Sequence, residues 1–205
     1  MLDENIKQTL FKTAHFYDQK KVGGDVGFLG FRRSTDLQKL IRCLDVLIDQ
    51  EMLIPSESLF LDMGCADGRV NVLLSYLVRL SIGIELDEWT LDEYMPLKTM
   101  LEDSLKKNHL SLPPQNIFLF HGDSMDEGLY ETIKKQTGVS FGDFDLFYTY
   151  LTMQEEFADL IARKAKKGAI FMVYGLSKLM PRFEGLRLLT PEKPMEDILA
   201  LYQKK

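Results

Sequence analysis

Cysteine is scarce in this chain. Only Cys43 and Cys65 occur among 205 residues, too few for a disulfide framework and without the paired spacing of a metal-binding knuckle, so no metal ligands are expected. Long apolar runs are missing as well. Arg79 interrupts the most apolar stretch before it reaches the roughly 20 residues that a bilayer-spanning helix needs. The opening MLDENIKQTLFK has no apolar segment of the kind that marks a secretory signal. Cations are the minority charge, with 25 Lys and Arg against 31 Asp and Glu and a formal charge of -6. That balance speaks against a protein whose main task is to coat nucleic acid. The expectation left by these absences is a soluble, cytoplasmic protein. The hydrophobic content of 45% and aromatic content of 11% then supply an ample core for one domain of this length.

The chain is organised around LFLDMGCADGRV, from Leu59 to Val70. A short apolar run of strand length ends in Asp62, passes a turn rich in small residues and enters helix-like sequence. Gly64, Ala66 and Gly68 keep bulk off the turn, with Cys65 a small residue packed inside it, so a ligand can approach the backbone and the helix N-terminus. A dinucleotide fingerprint would place glycines at positions 64, 66 and 69. Here Gly64, Ala66 and Arg69 stand there, which disfavours NAD. Further on, Ser81 to Asp87 (SIGIELD) reads as a second buried strand with Glu85 at its end, followed by Leu86. A third strand, Ile117 to Phe120, runs into His121-Gly122-Asp123-Ser124.

The pattern Asp62-x-Gly64-x-Ala66-x-Gly68 resembles motif I of the class I S-adenosylmethionine-dependent methyltransferases, with Ala66 in place of the usual middle glycine. The Gly-Ile-Glu ending of the second strand and the Gly-Asp after the third are similar to that family too. The resemblance implies S-adenosylmethionine as cofactor, held by the turn residues Asp62, Gly64, Cys65, Ala66 and Gly68. It implies that Glu85 accepts the ribose hydroxyls with Leu86 beside it, and that Asp123 meets the adenine amino group with Ser124 next to it. His121 reads as a strand-end residue without a partner pattern.

Around these motifs the chain alternates strands and helices. Residues 3 to 18 predict an amphipathic helix carrying Ile6, Leu10, Ala14 and Tyr17 at helical intervals. Val22 to Phe31 packs four glycines among apolar residues; it is expected either to close as a lid, with Phe28 or Phe31 shielding the reaction, or to form a static loop. Thr35 and Gln38 predict a capping box opening a helix from Asp36 to Glu51. A helix after Gly68 and a long one from Trp89 to Lys107 follow, and Pro113-Pro114 breaks the chain before the third strand. A fourth strand spans Phe144 to Tyr150 and a fifth Ile170 to Tyr174. Leu186 to Leu189 and Ile198 to Tyr202 close the chain as an antiparallel pair. The expected class is α/β, a doubly wound, Rossmann-like, mostly parallel seven-stranded sheet. Residues 1–34 would form an N-terminal helical extension and loop, and 35–205 a single methyltransferase domain.

The fourth strand bears on the acceptor. Methyltransferases of planar nitrogens commonly carry Asn/Asp-Pro-Pro-Tyr/Phe there, and this chain has Asp145-Leu-Phe-Tyr-Thr-Tyr-Leu151 instead. That stretch, with Lys167-Gly168 before strand five, is similar to the seven-strand protein-lysine methyltransferases and their small bacterial relatives, although Thr152-Met153 stands where those often have Leu-Pro. The resemblance implies a protein lysine as acceptor, with Tyr148 and Tyr150 as aromatic walls that favour the neutral amine. Glu155 or Glu156 would take a proton or steer a cationic substrate, or else complement the dipole of the helix they open. A small-molecule acceptor, and a catalytically silent S-adenosylmethionine-binding or partner-binding module, are the alternatives; a nucleic-acid acceptor is disfavoured. If the glycine-rich stretch is a lid, deleting Gly23 to Gly30 abolishes cofactor binding in a calorimetric titration, and unchanged binding makes it a static loop.

Overall fold

The computed structural model describes residues 3–20, 34–176, 180–190 and 192–205. Seven strands form one sheet in the order β3-β2-β1-β4-β5-β7-β6. Their ranges are β1 Leu59–Met63, β2 Leu80–Glu85, β3 Ile117–His121, β4 Leu146–Tyr150, β5 Ile170–Tyr174, β6 Leu186–Leu188 and β7 Leu199–Lys204. β1 to β5 are mutually parallel, and β7 runs antiparallel to both β5 and β6. The expected architecture, including the terminal antiparallel pairing, is the one observed.

Alternation along each strand sends side chains to two helical layers. On one face Phe60, Leu146, Tyr148, Met172 and Tyr174 pack with α1 (Glu4–Asp18), α2 (Leu37–Asp49), α3 (Arg69–Ser75) and α5 (Tyr94–Lys107). On the other, Leu61, Met63, Ile84, Phe147 and Phe171 meet α6 (Glu127–Thr137) and α7 (Gln154–Lys164). The chain winds outward from β1 to β3 through α3 and α5 on the first face. It then returns through α6 to β4, beside β1, and continues through α7 to β5 on the second. The direction of winding therefore reverses between β1 and β4, and the crevice beyond their carboxyl ends is where sheets of this kind take ligands.

Two local expectations are corrected. Asp36, not Thr35, caps α2, its carboxylate accepting from Lys39 N at 3.0 Å; the Thr35 hydroxyl is drawn instead to that of Tyr148, at 2.7 Å. The helix expected over Trp89 to Lys107 is two, α4 (Glu88–Asp92) and α5, parted at Glu93. Pro96 explains the break, because its missing N–H suits the first turn of a new helix and would interrupt a continuous one. α6 had no counterpart in the sequence reading, although Asp126 caps its start and Gly138, at φ 75°, its end. The glycine-rich stretch expected to act as a lid lies outside the described residues.

α1 is fastened at its C-terminal end. Asp18 accepts from Leu37 N and Gln38 N at 3.0 and 3.2 Å, which satisfies donors that open α2. The Arg69 guanidinium lies over the Tyr17 ring, 5.6 Å from its centroid.

The turn before α3 presses hard on β2. A Cβ on Gly83 would sit 2.7 Å from Asn71 Oδ1 and Leu119 Cδ2 and 2.8 Å from Cys65 Cβ. Gly83→Ala is expected to lower the unfolding free energy by about 1–3 kcal/mol, the usual cost of overpacking, measured by urea titration; unchanged stability would mean that this contact gives way freely.

Candidate active site

β1 delivers Asp62 to the crevice as part of a strand whose five residues are all buried. Its side chain is 1% exposed, and its Oδ1 has no hydrogen-bond partner. Burial, then the nearby carboxylates of Glu85 and Asp67, push its pKa well above the ordinary range. An ionised carboxylate without a partner is costly at such a position.

Beyond Asp62 the chain turns on Gly64 at φ 106°, Ala66 at 49° and Gly68 at 70°. Gly64 N and Cys65 N both donate to Ile84 O at 2.9 Å, pinning the turn to β2. A Cβ placed on Gly64 would meet nothing within 4 Å, so the turn shows bare backbone there. On Gly68 it would strike Leu119 and Tyr94, at 2.7 and 2.8 Å. The remaining support is an ion pair straddling Gly68. Arg69 Nε and Nη2 donate to Asp67 Oδ1 and Oδ2 at 2.9 and 2.6 Å, with both side chains buried. In the sequence Arg69 stands only as a departure from the dinucleotide fingerprint, with no sign of its pairing to Asp67.

Glu85 ends β2 with a carboxylate oriented by two backbone amides. Ala66 N donates to Oε2 at 2.8 Å and Asp87 N to Oε1 at 2.9 Å. Each oxygen retains a further lone pair. Leu86 is 54% exposed beside it. At the end of β3, Asp123 is exposed and its Oδ1 accepts from Met125 N at 2.8 Å, while Ser124 is buried. His121 is exposed and its Nε2 lies 3.1 Å from Leu86 O. Cys65 is buried, and burial with the surrounding carboxylates raises its thiol pKa. It is therefore a protonated packing group rather than a nucleophile.

Parallel pairing places Tyr148 beside Asp62. Tyr148 is buried and hydrogen-bonded to Thr35, so it lies below the mouth of the crevice. Tyr150, half-buried at the strand end, packs with Tyr174 at 5.2 Å between ring centroids, and Tyr148 with Tyr174 at 6.2 Å. The following loop holds two non-glycine residues in the left-handed region, Leu151 at φ 50° and Met153 at φ 46°, strain of a kind that collects at functional sites. Glu155 and Glu156 are exposed in the first turn of α7. Thus the turn, Asp62, Glu85 and Leu86 come together around β1 and β2, Asp123 and Ser124 extend that edge, and the tyrosines and Glu155 flank it across β4. Among the described residues, no group of three or more His, Cys, Asp or Glu is placed to hold a metal ion, and no helix is long and apolar enough to cross a membrane.

No protein-family model and no curated protein matches the chain. Solved structures do. The proposed methyltransferase yhhF of Escherichia coli superposes with a TM-score of 0.52 at 14% identity, over 90% of this chain and 98% of that one. The fold is the Rossmann-like fold of the class I methyltransferases. A mutant of MtNAS matches with a TM-score of 0.53 at 12% identity, over 97% of this chain and 70% of that one. In folds of this kind, the crevice where the winding reverses is the place for a ligand.

Asp62→Asn keeps the shape and removes the buried charge. Because the folded-state pKa is raised, the unfolded chain releases the Asp62 proton more readily, and the penalty grows as pH climbs from the ordinary carboxylate range through the raised value. The variant is expected to be about 1–3 kcal/mol more stable than wild type at neutral pH, with the difference shrinking toward acid pH in urea titrations. A destabilised variant at neutral pH would show that the carboxylate is satisfied in the free protein.

Proposed function

We propose that this protein is an S-adenosylmethionine-dependent methyltransferase whose acceptor is a lysine amine of a protein. The observation that carries the cofactor reading is the buried, unpartnered Asp62 oxygen beside a turn of bare backbone. A zwitterionic, nucleoside-bearing ligand fits that donor set. Asp62 would take its ammonium group, and Gly64, Cys65, Ala66 and Gly68 would form the cradle. Glu85 would accept the ribose hydroxyls through the lone pairs that the backbone amides leave open, Leu86 would cover the adenine, and Asp123 with Ser124 would meet the adenine edge.

Bound there, the cofactor would offer an activated methyl group, its sulfur keeping the S–C electron pair as the acceptor nitrogen bonds the methyl carbon. The chain's own residues have the easier tasks of orienting the acceptor, excluding water and removing its proton. Tyr150 would hold the lysine stem, with Tyr148 and Tyr174 behind it as an apolar wall that favours the neutral amine. Glu155, at the opening of α7, would receive the proton that the ammonium sheds. The absence of a Pro-Pro motif after β4 supports an aliphatic amine over a planar nitrogen.

Calorimetry should give micromolar binding of S-adenosylmethionine, none of NAD, and loss of binding in Asp62→Asn, a decrease of at least tenfold in affinity, or about 1.4 kcal/mol. Methyl-labelled cofactor added with the protein to a cell extract should leave its label on lysine after acid hydrolysis of the protein fraction. Label in RNA or in small molecules would replace the acceptor while keeping the cofactor. Failure of the cofactor to bind would remove the reading altogether.

A further inference from the structure

The most exposed large apolar side chain among the described residues stands at the rim of this crevice. Trp89, in α4 directly after β2, is 82% exposed, and Leu86 next to it in the same connection is 54% exposed. The exposed indole is carried on a braced backbone. Trp89 N donates to Asp87 Oδ1 at 3.2 Å, Thr90 Oγ1 to Asp87 Oδ2 at 2.8 Å, and Asp87 N to Glu85 Oε1 at 2.9 Å. Glu85 is in turn tied to Ala66 N at 2.8 Å. A hydrogen-bonded chain thus runs from the glycine turn to the tryptophan, so that little backbone ordering remains to be done on binding.

Charge on the connections after β1 to β4 has one sign. The segments that follow β1 to β4, residues 64–68, 85–93, 121–126 and 150–156, contain no Lys or Arg, and they include Glu88, Asp92, Asp123, Glu155 and Glu156, all exposed. The first cation beyond them on the turn, Arg69, is buried against Asp67. The opposite edge of the sheet is mixed, with Arg79, Lys166 and Lys167 interspersed among Glu57, Asp143 and Asp145. The connections after β1 to β4 are thus more negative than overall composition requires.

We infer that Trp89 and the acidic rim around it form a docking surface for a lysine-rich, positively charged polypeptide segment, the stretch that presents the acceptor amine. This rests on the methyltransferase reading and narrows its substrate class. A flat indole face takes Lys stems and ammonium groups by cation–π and apolar contact, and Trp is the residue most enriched where a few side chains carry binding energy. Acids flanking it attract cationic chains and repel a phosphate backbone.

Trp89 is the one tryptophan of the chain, so its fluorescence reports this surface alone. Titration of the full-length protein with a short peptide of alternating lysine and glycine should shift the emission to shorter wavelength, with an affinity that falls as salt is raised. By calorimetry the same peptide should bind Trp89→Ala about fivefold more weakly, and Glu88→Gln/Asp92→Asn weaker by a similar factor, while S-adenosylhomocysteine affinity stays at the wild-type value in both. A peptide of alternating glutamate and glycine, and a single-stranded RNA oligonucleotide, should leave the emission unmoved. No response to the lysine peptide, equal affinity in Trp89→Ala, or a response to RNA in its place would overturn the inference. Failure of the wild-type protein to bind S-adenosylmethionine, with the lysine-peptide response intact, would remove the methyltransferase reading and leave the docking surface standing.

Discussion

Everything at the crevice depends on how closely the segment after β1 can lie against its neighbours. Gly68 and Gly83 stand where even one added carbon would come within 2.7 Å of another side chain, and the turn amides reach Ile84 only at that separation. Close approach fixes the carbonyls and amides of the turn in space, and with them the direction in which α3 leaves. It also brings the carboxylates of Glu85 and Asp67 near enough to add to the cost of ionising the buried Asp62. Steric permission at two glycines thus becomes an electrostatic property of the site.

The three carboxylates are managed differently. Asp67 is neutralised by a bidentate arginine, and Glu85 is solvated by two backbone amides. Asp62 is left with an open oxygen. A fold optimised for stability alone would place an amide or an apolar side chain there; on the cofactor binding proposed above, the acid would trade stability for affinity. Arg69 shows the opposite economy, since its charge is consumed inside the structure and adds nothing to the surface field.

The sheet, its winding and the gathering of Asp62, Glu85 and Asp123 along one edge are legible because they rest on short-range patterns: apolar runs of strand length, an acid at or just past the ends of the first three strands, and small residues in the turn. What the sequence hid were partnerships between distant positions. Thr35 has a capping pattern, yet its hydroxyl serves Tyr148 and Asp36 caps the helix. Tyr148 and Tyr150 look equivalent in sequence, but one is sealed beneath the sheet's helical layer and the other reaches the strand end. The break at Glu93 is signalled by Pro96, which the continuous helical period from Trp89 to Lys107 conceals. The Asp67–Arg69 pair was invisible for a different reason. Its value comes from burial, and burial of two charged residues is not something local propensity foretells.

α1 leads the chain but takes its anchors from later segments. Asp18 accepts from the amides of Leu37 and Gln38, and Tyr17 lies against Arg69, which the turn after β1 positions. A single amphipathic helix of this length is marginal in water by itself. The position of α1 is therefore held by contacts reaching across the chain rather than by its own helical propensity.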